Sequence, residues 1–226
     1  MKNIFRNFTK FELGLWLTSV VLVSASYLLV PEKDVLTLLA SVIGVTALIF
    51  VAKGYVLGQI LCVIFAVFYG VISFFFRYYG EMITYLCMSA PMAISATVSW
   101  LKHPYGKTKE VEVHRLNGKH IAIVCALTVA VTVAFYFILK ALNTPNLLFS
   151  TLSVATSFLA SALTFLRSPY YALAYGANDV VLIVLWVLAT VENVAYFPMI
   201  ICFSVFLAND LYGFFNWQRI QKRQGN

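Results

Sequence analysis

Charge is the scarcest property of this sequence: 11% of its 226 residues are Asp, Glu, Lys or Arg, while 62% are hydrophobic. A soluble domain carries roughly 25% charged residues, and one of this size cannot hide so much apolar surface from water. A soluble enzyme and a disordered chain are therefore excluded. The four cysteines lie in apolar runs without paired spacing, which excludes a disulfide scaffold and predicts small buried hydrophobic residues. The composition is that of an integral membrane protein.

Signatures of soluble activities are also missing. No serine nucleophile elbow, His-Glu-x-x-His motif or phosphate-binding loop occurs, so we do not expect an enzyme. Lys and Arg number 16 against 9 Asp and Glu, but they form no basic stripe interleaved with aromatics, so no nucleic acid partner is expected. All three histidines fall in one predicted loop, His103–His120, without zinc-ligand spacing. We therefore expect a solvated loop, no metal and no cofactor.

Long apolar runs are what the sequence contains instead. A membrane-spanning helix needs about 20 mostly apolar residues, and charges or turn residues separate eight runs of this kind. No segment alternates with period two, which excludes transmembrane strands. We predict an all-α integral membrane protein with eight transmembrane helices. The predicted spans are Leu13–Val30, Val35–Ala52, Tyr55–Phe76, Met82–Leu101, Ile121–Leu142, Leu147–Leu166, Tyr170–Val191 and Tyr196–Trp217.

The basic residues predict how this bundle is oriented. With eight spans both termini lie on one side, and that side then holds thirteen of the 16 Lys and Arg residues. Basic residues near span ends resist translocation, so both termini are predicted to be cytoplasmic. The segment Val23-Ser24-Ala25 fits a signal-peptidase site. Because many spans follow it, we expect an uncleaved first helix rather than a cleaved signal.

Spans two to four match spans six to eight in length and in the kinds of residue that end them. Val51-Ala52-Lys53-Gly54 ends span two as Phe165-Leu166-Arg167-Ser168 ends span six, and Trp100 ends span four as Trp217 ends span eight. We predict two parallel three-helix repeats (3+1+3), a transporter architecture; the alternative is an accidental resemblance between apolar segments. The predicted segments are an extra N-terminal helix (1–34), the first repeat (35–102), a cytoplasmic loop and linker helix (103–146), the second repeat (147–219) and a cytoplasmic tail (220–226).

Two carboxylates lie deep inside predicted spans. Asp179 on span seven and Asp210 on span eight are far from any span end, where an ionised group is costly and usually marks a functional path. Aromatic and amide side chains recur at helical spacing beside them and suit a flat, polar or cationic ring. The open alternatives are structural hydrogen bonds between helices and the acid–base pair of a membrane hydrolase. The candidate substrate-binding residues are Gln59, Tyr175, Asn178, Asp179, Trp186, Asn209, Asp210, Tyr212 and Trp217.

A family resemblance rests on four stretches of the sequence: Phe68–Ser73, Arg77–Leu86, Ala177–Trp186 and Asn209–Trp217. Together they resemble the PnuC family of bacterial vitamin transporters, and the resemblance runs from span two to the C-terminus. The family's Asn-x-x-Tyr motif matches Asn209 and Tyr212. Its Trp-x-x-Trp motif is absent from span seven, where tyrosines at positions 171 and 175 stand before Asn178.

The resemblance implies a facilitator for nicotinamide riboside, a precursor in NAD biosynthesis, in the bacterial cytoplasmic (inner) membrane. Substrates of that family are trapped inside the cell by phosphorylation, which implies a functional link to a cytoplasmic kinase, and its members can form homotrimers. We expect alternating access to a site between spans three, seven and eight. The alternatives are a related vitamin or nucleoside (thiamine, riboflavin), uptake coupled to protons through Asp179 or Asp210, and a membrane enzyme.

Overall fold

The structure, a computed structural model, describes residues 7–29, 35–75 and 79–225. Within these residues eight helices are long and apolar enough to cross a membrane, and no strand extends beyond an isolated bridge. The predicted all-α membrane protein with eight transmembrane helices is confirmed. The helices are α1 (Lys10–Leu28), α2 (Val35–Ala52), α3 (Val56–Phe75), α4 (Tyr79–Lys102), α5 (Gly118–Ala141), α6 (Leu147–Phe165), α7 (Tyr171–Glu192) and α8 (Phe197–Arg223).

Most helix ends lie within a few residues of the predicted span ends. The predicted end at Val30, the break at 31–34, the end at Phe76 and the break beginning at Arg77 lie outside the described residues, as do residues 1–6 and 226. Helix α8 continues past the predicted end at Trp217. Its last turn carries two basic residues, which interact favourably with the helix dipole. Hydropathy therefore located the span, but not the end of the helix.

The loop after α4 is shorter and better packed than the predicted solvated loop His103–His120. The Asn117 side chain accepts a hydrogen bond from the His120 backbone N–H at 2.9 Å, which places His120 in the first turn of α5. Val111 and Val113 are 1% and 2% exposed, because they pack into a hydrophobic cluster with residues of α2, α4, α6, α7 and α8. The prediction of a solvated loop is wrong for this part of it.

The cysteines are less buried than expected. Cys202 is buried and Cys62 is half-buried, whereas Cys87 and Cys125 are exposed, and all four are free thiols. A thiol behaves as a small hydrophobic group, so a position that faces lipid suits it as well as one inside the bundle. The prediction that all four are buried is therefore wrong.

Helix α4 changes its winding halfway along. Its two ends are α-helical, but Thr84–Ser89 forms a π-helix. Pro91, two residues after the end of the π-helix, has no backbone N–H to donate to the preceding turn. Turns of π-helix occur often at functional sites, and this one contributes Tyr85 and Ser89 to the central cavity described below.

The helices divide into a central group and a periphery. The pairs α2–α3 and α7–α8 make the most extensive contacts, and α1 packs against α2 and α8. Helix α5 packs mainly against α6, and of its 24 residues only Val124 and Leu139 are buried. Helix α5 therefore lies at the edge of the bundle with its apolar side chains toward lipid.

One end of the bundle, here called the basic end, carries the turns that contain Lys53 and Arg167 and the C-terminus of α8. The loop after α4 ties these parts together. Its Val111 N–H donates to the Gly54 carbonyl at 2.9 Å, and its Glu112 carbonyl accepts from Arg167 Nε at 3.0 Å. These bonds join both halves of the chain at the basic end.

Helices α2 and α6 end at the basic end in the same way. Gly54 and Arg167 both adopt left-handed backbone conformations, with φ of 68° and 56°. Such a φ is unusual for a residue with a side chain. The Arg167 guanidine group donates hydrogen bonds to the Glu112 carbonyl and to Ser99 Oγ, and these bonds hold Arg167 in this conformation. The two turns are therefore matched in backbone geometry, although their sequences differ.

Each matched turn accepts a pair of hydrogen bonds from the end of a distant helix. Helix α8 donates to the turn after α2, and helix α4 donates to the turn after α6. We call these four contacts the reciprocal bonds. They are Trp217 Nε1 to Val51 O (2.9 Å), Asn216 Nδ2 to Ala52 O (2.8 Å), Trp100 Nε1 to Thr164 O (2.9 Å) and Ser99 Oγ to Phe165 O (2.8 Å).

Candidate substrate site

A polar cavity lies at the centre of the bundle, between α2, α3, α4, α6, α7 and α8. It encloses about 110 Å³, which is less than the roughly 300–1,000 Å³ of pockets that bury a whole small molecule. Five of the nine predicted site residues line it. The polar lining residues are Gln59, Tyr85, Ser89, Ser157, Ser161, Tyr171, Tyr175, Asn178, Asp179 and Asp210.

The two predicted carboxylates meet in this cavity. Asp179 and Asp210 are 3% and 4% exposed, and their carboxyl groups lie within hydrogen-bonding reach of each other. Asp179 Oδ2 is buried and receives no hydrogen bond from any described residue. The lining residues include no Lys, Arg or His. A pair of this kind needs a proton or a positively charged ligand to offset its charge.

Hydroxyl groups of α6 contact the next two site residues. Asn178 Oδ1 accepts hydrogen bonds from Thr156 Oγ1 and from Ser157 Oγ, both at 2.9 Å. The Tyr175 hydroxyl lies 3.0 Å from Ser161 Oγ. The amide and the phenol are therefore held in place by α6, while both side chains still line the cavity.

Aromatic rings from three helices form part of the cavity wall. Phe65 of α3 lies 5.8 Å from Phe206 of α8 and 6.1 Å from Tyr85 of α4, measured between ring centroids. Both contacts are edge-to-face, a favourable arrangement for aromatic rings. The cavity thus combines aromatic faces with carboxyl, amide and hydroxyl groups, which suits a flat polar ring.

Four predicted site residues lie outside the cavity lining. Asn209 Nδ2 donates to Ser19 Oγ of α1 at 2.9 Å, and Trp217 is fully buried among the reciprocal bonds. Tyr212 faces α1, and Trp186 lines a separate cavity of about 250 Å³ toward the opposite end of the bundle. Successive residues on a helix point about 100° apart. Asp210 therefore faces the cavity while the neighbouring Asn209 faces α1.

Helix α1 holds the face of α8 that carries the Asn-x-x-Tyr motif. Glu12, which is buried, accepts hydrogen bonds from Lys53 Nζ at 2.7 Å and from the Tyr212 hydroxyl at 2.8 Å. It also accepts from the Thr9 backbone N–H at 2.6 Å, which completes a capping box at the start of α1. The Asn209 N–H group and the Tyr212 hydroxyl of the motif are thus bonded to α1, whereas Asn209 Oδ1 is buried and accepts no hydrogen bond from any described residue.

Several residues that line the central cavity were not predicted from the sequence. Ser157 and Ser161 stand four residues apart, so they share one face of α6, and this spacing could have identified them. Phe65 and Tyr85 could not be distinguished from the many other aromatic residues at similar positions along their helices. The π-helix that turns Tyr85 toward the cavity has no sequence signature of its own.

The histidine loop forms a separate polar cluster at the basic end. His114 Nε2 lies 3.4 Å from His120 Nδ1, and burial lowers the pKa of His114, with a further decrease caused by the Arg167 guanidinium. Among the described residues no three His, Cys, Asp or Glu side chains are grouped in a way that could hold a metal ion.

Among the described residues eight apolar helices enclose a polar cavity that holds two carboxyl groups, an arrangement typical of multi-pass membrane transporters. The family model described as "Nicotinamide mononucleotide transporter" matches residues 34–219. The chain therefore belongs to this family of transporters, the PnuC family.

Relatives and a solved structure agree with this assignment. The chain is 26% identical to the nicotinamide riboside transporter PnuC of Neisseria mucosa, over 98% of this chain and 86% of the relative. It is 24% identical to the nicotinamide riboside transporter PnuC of Haemophilus influenzae, over 92% of this chain and 90% of the relative. A crystal structure of the vitamin B3 transporter PnuC has the same fold, with a TM-score of 0.82, 24% identity and coverage of 98% and 96%.

Proposed function

We propose that this protein carries nicotinamide riboside across the bacterial cytoplasmic membrane by facilitated diffusion. The observation that carries this proposal is the Asp179–Asp210 pair in a cavity whose lining residues include no cation. The pyridinium ring of nicotinamide riboside supplies the positive charge that this pair lacks. Two relatives named nicotinamide riboside transporters support the same substrate.

The charge of the cavity also distinguishes the riboside from the mononucleotide named by the family model. The mononucleotide carries an additional phosphate, which is negative at neutral pH. Two like charges 4 Å apart repel by about 4 kcal/mol at an effective dielectric constant near 20. Because none of the described residues that line the cavity is basic and could offset this repulsion, we expect the riboside to bind and the mononucleotide to be rejected.

The proposed roles of the site residues follow from their positions. Asp179 and Asp210 offset the pyridinium charge, Tyr175 offers an aromatic face, and Gln59 and Asn178 hydrogen-bond the carboxamide or the ribose. The remaining predicted residues support the site from outside the cavity. They are Trp186, Asn209, Tyr212 and Trp217, of which Asn209 and Tyr212 reach a substrate only if α1 moves away from α8.

The small cavity indicates that transport requires movement. A cavity of about 110 Å³ must widen before it holds a riboside, and alternating access between two three-helix repeats provides such a step. The reciprocal bonds support the proposed repeats 35–102 and 147–219, because the last helix of each binds the turn after the first helix of the other. In this proposal these bonds break when the basic end opens.

The proposal extends to the orientation of the protein in the membrane, the trapping of its substrate and its oligomeric state. The concentration of Lys and Arg at the basic end supports a cytoplasmic position for that end and for both termini. A facilitator alone only equalises concentrations, so a cytoplasmic kinase that phosphorylates the riboside would keep the product inside, where the cavity rejects it. The homotrimer stays an expectation from the family resemblance.

The carboxyl pair also favours a second candidate function, uptake coupled to protons. Two carboxyl groups within hydrogen-bonding reach are able to exchange a bound proton for a cationic substrate. Accumulation of substrate against its gradient under an imposed pH difference would support this coupling. Equal uptake with and without the pH difference supports facilitated diffusion.

Binding to the purified protein tests the substrate. We expect calorimetric binding of nicotinamide riboside and none of nicotinamide mononucleotide. Thiamine and riboflavin belong in the same series, because the family's Trp-x-x-Trp motif is absent and tyrosines at positions 171 and 175 precede Asn178 instead. Tighter binding of either vitamin than of nicotinamide riboside would overturn the proposed substrate, and turnover of a lipid or peptide would favour a membrane enzyme.

A further inference from the structure

Ser157 uses its hydroxyl differently from most serines and threonines in helices. Such side chains commonly donate to the backbone carbonyl three or four residues earlier in the same helix. In α6, Thr151 and Ser153 do so, to the carbonyls of Leu147 and Ser150 at 2.7 and 2.9 Å. Ser157 instead reaches across to α7 and donates to Asn178 Oδ1.

The contact with Ser157 determines how the Asn178 amide is turned. Among the described residues Asn178 Oδ1 is the only acceptor of the Ser157 hydroxyl, whereas Thr156 Oγ1 also lies 3.0 and 3.1 Å from two carbonyls of its own helix. If the amide were reversed, its N–H group would donate to the Ser157 hydroxyl, which would then have to rotate to a carbonyl of its own helix to find an acceptor. Ser157 therefore favours the orientation in which Asn178 Oδ1 faces α6.

In this orientation the Asn178 amide presents only hydrogen-bond donors to a substrate. The hydroxyls of Thr156 and Ser157 both lie 2.9 Å from Asn178 Oδ1, so the amide oxygen faces α6 and its N–H group faces away from that helix. Asn178, which lines the cavity, therefore offers only its N–H group to a ligand. An N–H group binds acceptors such as carbonyl oxygens and does not bind an amine donor.

We propose that Ser157, assisted by Thr156, is a positioning residue that turns Asn178 into a fixed donor, so that the site selects pyridinium ribosides with a carbonyl acceptor on the ring. This inference rests on the proposed function. In nicotinamide riboside the acceptor is the oxygen of the carboxamide. Without Ser157 the amide oxygen keeps only the contact with Thr156, whose proton two carbonyls of its own helix also accept, so the preference for an acceptor is weakened.

Two analogues that differ only in hydrogen-bonding character test this inference. The 3-acetylpyridine riboside offers an acceptor and no donor, and the 3-aminopyridine riboside offers a donor and no carbonyl. Each competes with labelled nicotinamide riboside for uptake into proteoliposomes. The wild type is expected to prefer the acetyl compound, and Ser157→Ala is expected to reduce the ratio of the two inhibition constants about fivefold to tenfold, as for one hydrogen bond.

Matched variants separate this effect from a general loss of structure. Ser153→Ala removes a hydroxyl one turn earlier that bonds only its own helix, and the wild-type ratio is expected to remain. Ser157→Thr keeps the hydroxyl and should restore the ratio. If Ser157→Ala does not fold, Ser157→Cys, which has only a weak donor, serves in its place.

The outcomes of this test are distinguishable from a failure of the proposed function. Saturable uptake with a wild-type ratio in Ser157→Ala overturns the inference and leaves the proposed function intact. An equal loss of the ratio in Ser153→Ala also overturns it. Absence of saturable nicotinamide riboside uptake in the wild type overturns both.

Discussion

Two ion pairs at the basic end allow a quantitative test of how α1 is held. The buried pair joins Lys53 to Glu12, whose side chains are 11% and 3% exposed. The second pair joins Arg223 to Glu110, with side chains 60% and 21% exposed. The substitutions Glu12→Gln and Glu110→Gln remove the same charge from two environments and leave the shape of the side chain almost unchanged.

The two substitutions are expected to differ several-fold in cost. Removing one partner of a buried pair leaves an uncompensated charge, which costs about 3–5 kcal/mol. We expect about 3 kcal/mol for Glu12→Gln, because Lys53 retains some contact with water and glutamine keeps the capping box of α1. An exposed pair contributes at most about 1 kcal/mol, which is the upper limit for Glu110→Gln.

Thermal unfolding of the purified protein in detergent measures this difference. For a chain of this length 1 kcal/mol corresponds to roughly 2–4 °C. The melting temperature should therefore fall by about 6–12 °C in Glu12→Gln and by less than about 4 °C in Glu110→Gln. Equal shifts in the two variants would refute the argument that burial of the Glu12–Lys53 pair holds α1 against the bundle.

Three further predictions concern transport and pH. Trp100→Phe and Trp217→Phe each remove one reciprocal bond, which is worth about 1 kcal/mol. Each substitution should therefore increase the labelling rate of a cysteine introduced at the basic end by a factor of about five. An increase in only one of the two variants would contradict the reciprocal arrangement. Asp179→Asn and Asp210→Asn should weaken competition by nicotinamide riboside by roughly tenfold or more, but not competition by an uncharged analogue of the same shape, as measured in uptake assays. Burial lowers the pKa of His114, so the unfolded chain binds this proton more readily, and stability is lost as pH falls through about 6.5. Melting temperatures near pH 7.5 and pH 5.5 should therefore differ less in His114→Gln than in the wild type.

Hydropathy was sufficient to predict the eight spans, because a bilayer requires long uninterrupted apolar helices. It did not predict the packing of the loop after α4. Val111 and Val113 alternate with charged residues in a short polar segment, and the surface that buries them is assembled from residues of α2, α4, α6, α7 and α8. Loops at a membrane surface are thus poorly described by their composition alone.

The sequence was sufficient to predict which helices carry the candidate site, but not which face of each helix lines the cavity. Two Asn-Asp pairs are visible in the sequence, yet Asp210 lines the cavity and Asn209 contacts Ser19. Which neighbour faces inward depends on how α1 and α8 pack, and no pattern within α8 contains that information. Glu12 was overlooked for the same reason, since its partners Lys53 and Tyr212 are distant in sequence.

Passive transport of a cationic riboside is proposed because the described residues place two carboxyl groups and no basic side chain in the cavity. Uptake of labelled nicotinamide riboside into proteoliposomes without any ion gradient tests it most directly. We expect saturable uptake that unlabelled nicotinamide riboside inhibits and nicotinamide mononucleotide does not. No saturable uptake, or equal inhibition by the mononucleotide, would contradict it.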